Sequence, residues 1–277
     1  MTRTLNKQSI LHSFEDSTFP GGANLFDTID STNDWSRAEI RRGRQLPFVC
    51  IADHQDKGRG RRGRRWLSPP GANIYMSIAW SFALPLDKLA LLPLAQGVAV
   101  LRALERTGID DAWLKWPNDV LINDKKIAGI LVEAASPDGN TCQVVIGLGL
   151  NYAMPENIVV ESGMHWTDIA QSVSGTLPDR NVVAAELLNQ VVKMCRHYQH
   201  KSTAIYTDIS HELDALSGRK VDVHVENGDQ VTGNVLGISE TGELRVLVNG
   251  RERIFNSADV SLRGFEGRKG RVCHADN

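Results

Sequence analysis

Cysteine is scarce in this chain of 277 residues. Cys50, Cys142, Cys195 and Cys273 lie far apart, with no CxxC pair and no neighbouring histidine at metal-ligand spacing. That spacing excludes a disulfide framework and a zinc site, and the thiols read as reduced. Long apolar runs are missing too. No stretch reaches the ~20 apolar residues needed to cross a bilayer, and the opening MTRTLNKQSILHSFEDS lacks the apolar centre of a signal peptide. The expectation is a soluble, cytoplasmic protein with no membrane partner. An excess of one charge is absent as well: 31 Lys and Arg against 33 Asp and Glu leave a formal charge of -2. Any grip on phosphate must therefore come from a local cluster, not from a basic surface. There is no internal repeat, and before Asp27 no pattern is long enough for a three-helix DNA-binding domain.

The 42% hydrophobic content is enough for one substantial core and a smaller second one. STNDWSRAEIRRG predicts a helix with Ser31 or Thr32 as its cap, Trp35 and Ala38 on one face and Gly43 as its stop. PFVCIAD is a short apolar strand that runs into HQDKGRGRRGRRW, where three glycines and six cations remove all periodicity and make Lys57 to Arg65 a loop. NIYMSIAW resumes strand character, and Leu89 to Arg106 has near-helical spacing with Pro93 in the first turn. Four β-like pieces follow, WLKW, DVLIN, KIAGILVEA and QVVIGLGLN, with NDKK as a hairpin turn. Asp179 caps a long helix whose buried stripe is Val183, Leu187, Leu188, Val191, Val192 and Cys195, and a further helix follows Ser202. Beyond Ser217-Gly218, short strands between NG and TG turns predict a small antiparallel barrel of roughly fifty residues. The fold class expected is α+β: a mixed or antiparallel sheet domain over 1-215, the small barrel over 216-265, and a polar tail over 266-277.

Three stretches are candidates for chemistry. In KGRGRRGRRW, Lys57 to Trp66, like charges repel one another unless an anion or solvent screens them, and the glycines let backbone amides turn toward one anion. A solvated basic loop, a nucleic-acid patch and a phosphate site all fit that composition. Its position between two apolar strands places it at a sheet edge or mouth. In WLKWPNDVLINDKKIAGILVE, Lys115 and Asp119 flank a proline turn, and Lys126 opens a strand. Alternation there puts Lys126, Ala128 and Ile130 on one face, while Gly129 lets a ligand come close to the backbone. A lysine at a strand start is more often a surface residue. In VVIGLGLNY, Val144 to Tyr152, no third glycine follows and no helix begins, so a dinucleotide fingerprint is rejected. The two glycines are read as clearing space for a ligand or another backbone.

Taken in order, STN at Ser31 to Asn33, Gln55, GRGRRGRRW at Gly58 to Trp66, PGAN at Pro70 to Asn73, KWPND at Lys115 to Asp119, KIAGIL at Lys126 to Leu131 and GLGLN at Gly147 to Asn151 resemble the biotin–protein ligases. The resemblance spans roughly Phe26 to Arg263. It implies a catalytic domain of the biotin/lipoate ligase type with an SH3-like C-terminal barrel. It further implies ATP and biotin as substrates with Mg2+, a biotinyl-5'-AMP intermediate, and a biotin carboxyl carrier protein that supplies the acceptor lysine. Ser31, Thr32, Asn33, Gln55, Arg59, Gly60, Arg61, Lys126 and Gly129 would then meet biotin. Arg61, Arg62, Arg64, Trp66, Asn118, Lys126, Asn151, Trp166 and Arg263 would meet ATP, with Trp166 stacked on adenine. Asn118 and Asp119 would lie near magnesium, and Lys126, Arg61, Asp119 and Lys115 would form the catalytic set. Many members of that family begin with a winged helix-turn-helix, for which this chain has no room, so a monofunctional ligase without a specific DNA partner is expected. A homodimer is left open. The rivals are a lipoate–protein ligase, against which the arginine-dense loop stands, and a nucleic-acid-binding module that rests on that loop alone. No protein nucleophile is expected, and His12, His54, His165, His197 and His211 are read as surface residues.

Overall fold

The computed structural model describes residues 4–14, 19, 21–156, 158, 165–225 and 229–256, with the backbone alone at 137–138 and 260–266. A short helix, α1 (Lys7–His12), capped by the Asn6 side chain, precedes seven strands that pair into one mixed sheet. These are β1 (Ala23–Ile29), β2 (Phe48–Gln55), β3 (Asn73–Phe82), β4 (Trp113–Lys115), β5 (Asp119–Ile122), β6 (Lys125–Asp138) and β7 (Thr141–Asn151), in the spatial order β1-β2-β3-β7-β6-β5-β4. Strands β1 and β2 run parallel and are joined by the crossover helix α2 (Thr32–Arg41), while every other neighbour is antiparallel. Helix α2 is capped by Ser31 and stops at Gly43, whose φ of +80° needs a glycine. The NDKK turn is a tight hairpin with both Asn123 and Asp124 at positive φ.

Period-two alternation gives the sheet two unlike faces. Even-numbered residues, Ile74, Met76, Ile78 and Phe82 on β3 and Val144, Ile146, Leu148 and Leu150 on β7, form the main core with α3 (Leu92–Arg106) and α5 (Arg180–Lys201). A one-turn helix, α4 (Ile169–Ser172), lies between these two in the chain. Odd-numbered Ala79 and Val145 instead pack with Ile40 of α2. Helix α5 has the expected stripe, all six residues buried, each worth about 1.5–3 kcal/mol on burial for the larger aliphatics. Its Asp179 cap accepts from Asn181 N–H at 2.8 Å. Pro93 does sit in the first turn of α3, which begins at Leu92 and not at Leu89 because a separate 3-10 turn occupies Leu86–Leu89.

After α6 (Ile205–Leu213) come β8 (Lys220–Val225), β9 (Gln230–Ile238), β10 (Leu244–Val248), β11 (Arg251–Phe255) and β12 (Val260–Glu266). They form an antiparallel sheet in the order β11-β10-β9-β8-β12. Among the described residues no pairing joins β11 to β12, so the expected small β domain is an open sheet and not a closed barrel. Nor does it have a core of its own: Val221, Val223, Val235, Leu244 and Val246 are continuous with the main cluster. Trp116 seals the joint. It is buried, and its indole N–H donates to the Gly242 carbonyl at 2.9 Å. Arg219 adds an ion pair to Asp124 at 3.3 Å and stacks over Trp113.

Three elements have no counterpart in the sequence reading: α1 and β1, which precede the first predicted helix, and the one-turn α4. Cys50, Cys142 and Cys195 are buried free thiols, and Cys273 lies outside the described residues. Among the described residues, no helix is long and apolar enough to cross a membrane.

Candidate active site

A cavity of about 460 Å³ opens on the odd-numbered face, between the start of α2 and the loop that joins β2 to β3. Its floor is polar. The N–H and hydroxyl of Thr32 both donate to Gln55 Oε1, at 2.8 and 3.0 Å, which fixes the turn between β1 and α2 against the end of β2. The Ser77 hydroxyl, projecting from β3, lies 2.7 Å from Thr32 Oγ1 and 2.6 Å from Asn33 Oδ1. Asn33 in turn donates to Glu133 Oε2 at 2.8 Å. Ser31, Thr32, Asn33, Gln55 and Ser77 are all buried, so these hydrogen bonds are made away from water and hold the hydroxyls and amides in place.

The wall is aromatic. Trp66 lies across Gly149 and Gly129, and a Cβ at either glycine would collide with the indole; a Cβ at Gly147 would fall on the Asn33 amide. The glycines of GLGLN thus clear room for this chain's own Asn33 and Trp66 side chains, and both glycines also line the cavity, as expected of glycines that make space for a ligand. The buried indole N–H of Trp66 has no hydrogen-bond partner.

A bulge aims Lys126. The β5–β6 register shifts between Val120 and Leu121, which face Ala128 and Lys126, so Ile127 is the extra residue. Lys126 therefore shares a side with Gly129, where a Cβ would come within 3.1 Å of Lys126 Nζ, while Ala128 and Ile130 belong to the core. Simple alternation had grouped Lys126 with those two core residues. The ammonium lies 2.5 Å from Asp119 Oδ1 and 5.0 Å from the Trp66 ring centroid.

The mouth is cationic. Arg61 donates to Asn118 Oδ1 at 3.3 Å, and Asn118 donates to the Ile130 carbonyl at 2.7 Å. Burial, followed by the nearby charges of Arg62 and Arg64, pulls the Arg61 pKa below its ordinary value, and Asp119 opposes that shift. Arg59, Arg61, Arg64, Arg65 and Lys126 line the cavity, and among the described lining residues Asp119 is the single carboxylate. Arg59 is already paired with Glu133 and Asp34, and Lys126 with Asp119, so the cationic character that suits an anion comes chiefly from Arg61, Arg64 and Arg65. Asn151 and Trp166 close the far side: Trp166 bridges in parallel to Lys126, and Asn151 Nδ2 donates to Thr167 O at 3.0 Å.

The arginine loop has a definite shape. Gly60 N–H donates to Arg64 O at 2.7 Å, Trp66 N–H donates to Gly58 O at 2.8 Å, Arg59 pairs with Arg65, and Arg61–Gly63 form a 3-10 turn. Two expected residues stand apart from the cavity. Arg62 is exposed, and Lys115 is buried on β4 opposite Asp119; neither lines it. Arg263 lies on β12 opposite Asp222, and its side chain lies outside the described residues. His54 is not a plain surface residue, since its ring binds the Ser68 carbonyl and Asp56. Ser77 and Glu133 were not legible as site residues, although both occupy odd positions in strands whose even positions are apolar, which is the pattern of a polar side chain turned to a site.

An insulated sheet face on one side, and on the other a cavity with Arg59, Arg61, Arg64, Arg65 and Lys126 in its lining, suit an enzyme that takes up a small anionic substrate. The comparisons with known proteins specify which. The Biotin/lipoate A/B protein ligase family matches residues 25–151, and the Biotin protein ligase C terminal domain matches residues 216–263. The bifunctional ligase/repressor BirA of Escherichia coli is 34% identical over 95% of this chain and 79% of its own length. The biotin--[acetyl-CoA-carboxylase] ligase of Mycobacterium tuberculosis is 32% identical over 76% of this chain and 77% of its own. The biotin protein ligase from Aquifex aeolicus, solved in complex with biotin and ATP, superposes with a TM-score of 0.71 at 27% identity, covering 87% of this chain and 98% of that one. The chain belongs to the biotin/lipoate A/B protein ligase family and, within it, to the biotin protein ligases.

Proposed function

We propose that the chain activates biotin with ATP to biotinyl-5'-AMP and passes the biotinyl group to a lysine of a biotin carboxyl carrier protein. The observation that carries this reading is the graded cavity: polar floor, aromatic wall and cationic mouth in one line, matching a polar head, an apolar body and a reacting anion. In the first step the biotin carboxylate attacks the α-phosphorus of ATP and pyrophosphate leaves. No protein nucleophile is required, only orientation and positive charge where negative charge gathers, which Arg61 and Lys126 supply. Lys126 exchanges Asp119 for the ligand's oxygens as it does so. In the second step the acceptor lysine attacks the acyl carbonyl, AMP leaves, and the released Asp119 orients the amine or takes its proton.

Ser31, Thr32, Asn33 and Gln55 are assigned to the biotin head, with Gly60 and Gly129 beside the chain, and Trp66, Asn118, Asn151, Trp166 and Arg64 to the nucleotide. Magnesium is commonly held by one or two carboxylates together with substrate phosphates. Among the described residues no cluster of three or more His, Cys, Asp or Glu is set to hold a metal, so the donor set of Asp119 and Asn118 fits an ion that arrives with the nucleotide. Once bound, magnesium would neutralise triphosphate charge. The division at 215/216 is likewise part of this reading, supported by the residue at which the C-terminal family match begins.

Pyrophosphate exchange into ATP, measured with biotin, with lipoate and with neither, tests the assignment. Exchange should require biotin and Mg2+; exchange supported by lipoate and not by biotin overturns it.

A further inference from the structure

We infer that Glu133 is a positioning residue, the latch that holds the arginine loop closed over the biotin end of the cavity; the identity of the ligand rests on the proposed function. Glu133 lies on β6, on the same odd face as Gly129 and Leu131, and it is largely buried. Its carboxylate accepts from Arg59 Nη2 at 3.0 and 2.8 Å and pairs with Arg37 at 3.5 Å. Asp34, on α2, adds a second carboxylate to Arg59 at 2.7 Å. Arg59 thus ties the loop to both the sheet and α2, and its charge is met within the protein. That separates it from Arg61, whose pKa is lowered by burial and by its arginine neighbours, and whose side chain reaches the Asn118 end of the cavity. One arginine of the motif anchors the loop and the next receives the anion.

Glu133 also reaches the floor, because the Asn33 amide donates to it at 2.8 Å and Asn33 Oδ1 meets Ser77, which meets Thr32, which meets Gln55. A continuous network of short polar contacts, in which the Ser77 hydroxyl has one proton to share between Asn33 and Thr32, therefore runs from the lid to the groups assigned to the biotin head. A ligand that settles those groups also settles the carboxylate that draws the loop down, so binding at the floor and closure of the lid reinforce each other.

Glu133→Gln keeps an oxygen for Asn33 and removes the charge that holds Arg59; Arg59→Gln removes the partner. Two readouts are taken on the full chain. The first is cleavage within residues 57–65 by a broad-specificity protease without ligands, which reports the open population of the loop. The second is biotin KM and kcat in pyrophosphate exchange. Each single variant should cleave roughly tenfold faster, the order of effect of losing a hydrogen bond to a charged group. Biotin KM should rise by a similar factor, kcat should change much less, and the double variant should be no worse than either single. Unchanged cleavage, multiplying effects in the double variant, or a loss confined to kcat would overturn the latch. A wild type without biotin-dependent exchange but with the expected cleavage pattern would instead overturn the proposed function and leave the latch standing.

Discussion

Lys126 and Asp119 lie 2.5 Å apart in a cavity otherwise lined by positive charge. With the lysine removed, Asp119 keeps a largely buried carboxylate without that partner, and the forming phosphate charge loses a preorganised donor. Lys126→Gln should fold and slow biotin-dependent exchange by ~10²–10³-fold, the size of losing one such donor, as measured by exchange rate beside a thermal melt. At the same scale, burial drives the Cys50 and Cys195 thiols and the Tyr75 and Tyr198 phenols well above their ordinary values. Such groups stay protonated in the fold while the unfolded chain gives up its protons. Their stabilising contribution is complete below about pH 8 and is eroded as pH rises through the ordinary values. Urea midpoints should therefore fall between pH 7 and pH 10. Individual residues were legible where a short motif surrounds them, as at Ser31 to Asn33 and Lys115 to Asp119. Glu133 and Ser77 were not, because their partners lie 44 to 100 residues away in sequence. No window along the chain brings such pairs together.

At the scale of elements, the helix with its serine cap, the hairpin turn, and the aliphatic stripe of α5 were readable because each is specified by local spacing. Strand β1 was not, since it is stabilised by parallel pairing to β2 across the crossover helix and only partly buried. The bulge at Ile127 was invisible for a related reason: it exists only relative to the partner strand. The arginine loop read correctly as a break in periodicity, yet its Gly60–Arg64 and Gly58–Trp66 hydrogen bonds give it a shape that charge and glycine content do not predict. Removing the anion-receiving arginine should loosen its hold on the adenylate more than it slows its synthesis. Arg61→Gly should therefore release preformed biotinyl-adenylate faster and biotinylate exposed lysines on unrelated proteins, a change seen by comparing adenylate release with exchange. For α5, Asp179→Ala removes the cap and should lower stability by about 1 kcal/mol without altering exchange, as read from a denaturant titration.

The whole molecule behaves as one hydrophobic body. The C-terminal sheet adds its valines to the main cluster, and Trp116 bonds across the joint to Gly242. Truncation after residue 215 should consequently strip cover from the shared core and abolish the cooperative melt of the remainder, instead of leaving an independent catalytic half; differential scanning calorimetry of the two chains checks this. The central sheet has a further consequence. Along β3, β7 and the part of β6 beyond its bulge, even-numbered side chains face α3 and α5, and odd-numbered ones face the side that carries α2 and the cavity. A saturation library over these strands should therefore resolve into two interleaved phenotypes, heat sensitivity at one parity and altered ligand preference at the other. Because the two are separated by the thickness of a single sheet, this scaffold can drift toward a new substrate without first loosening its core.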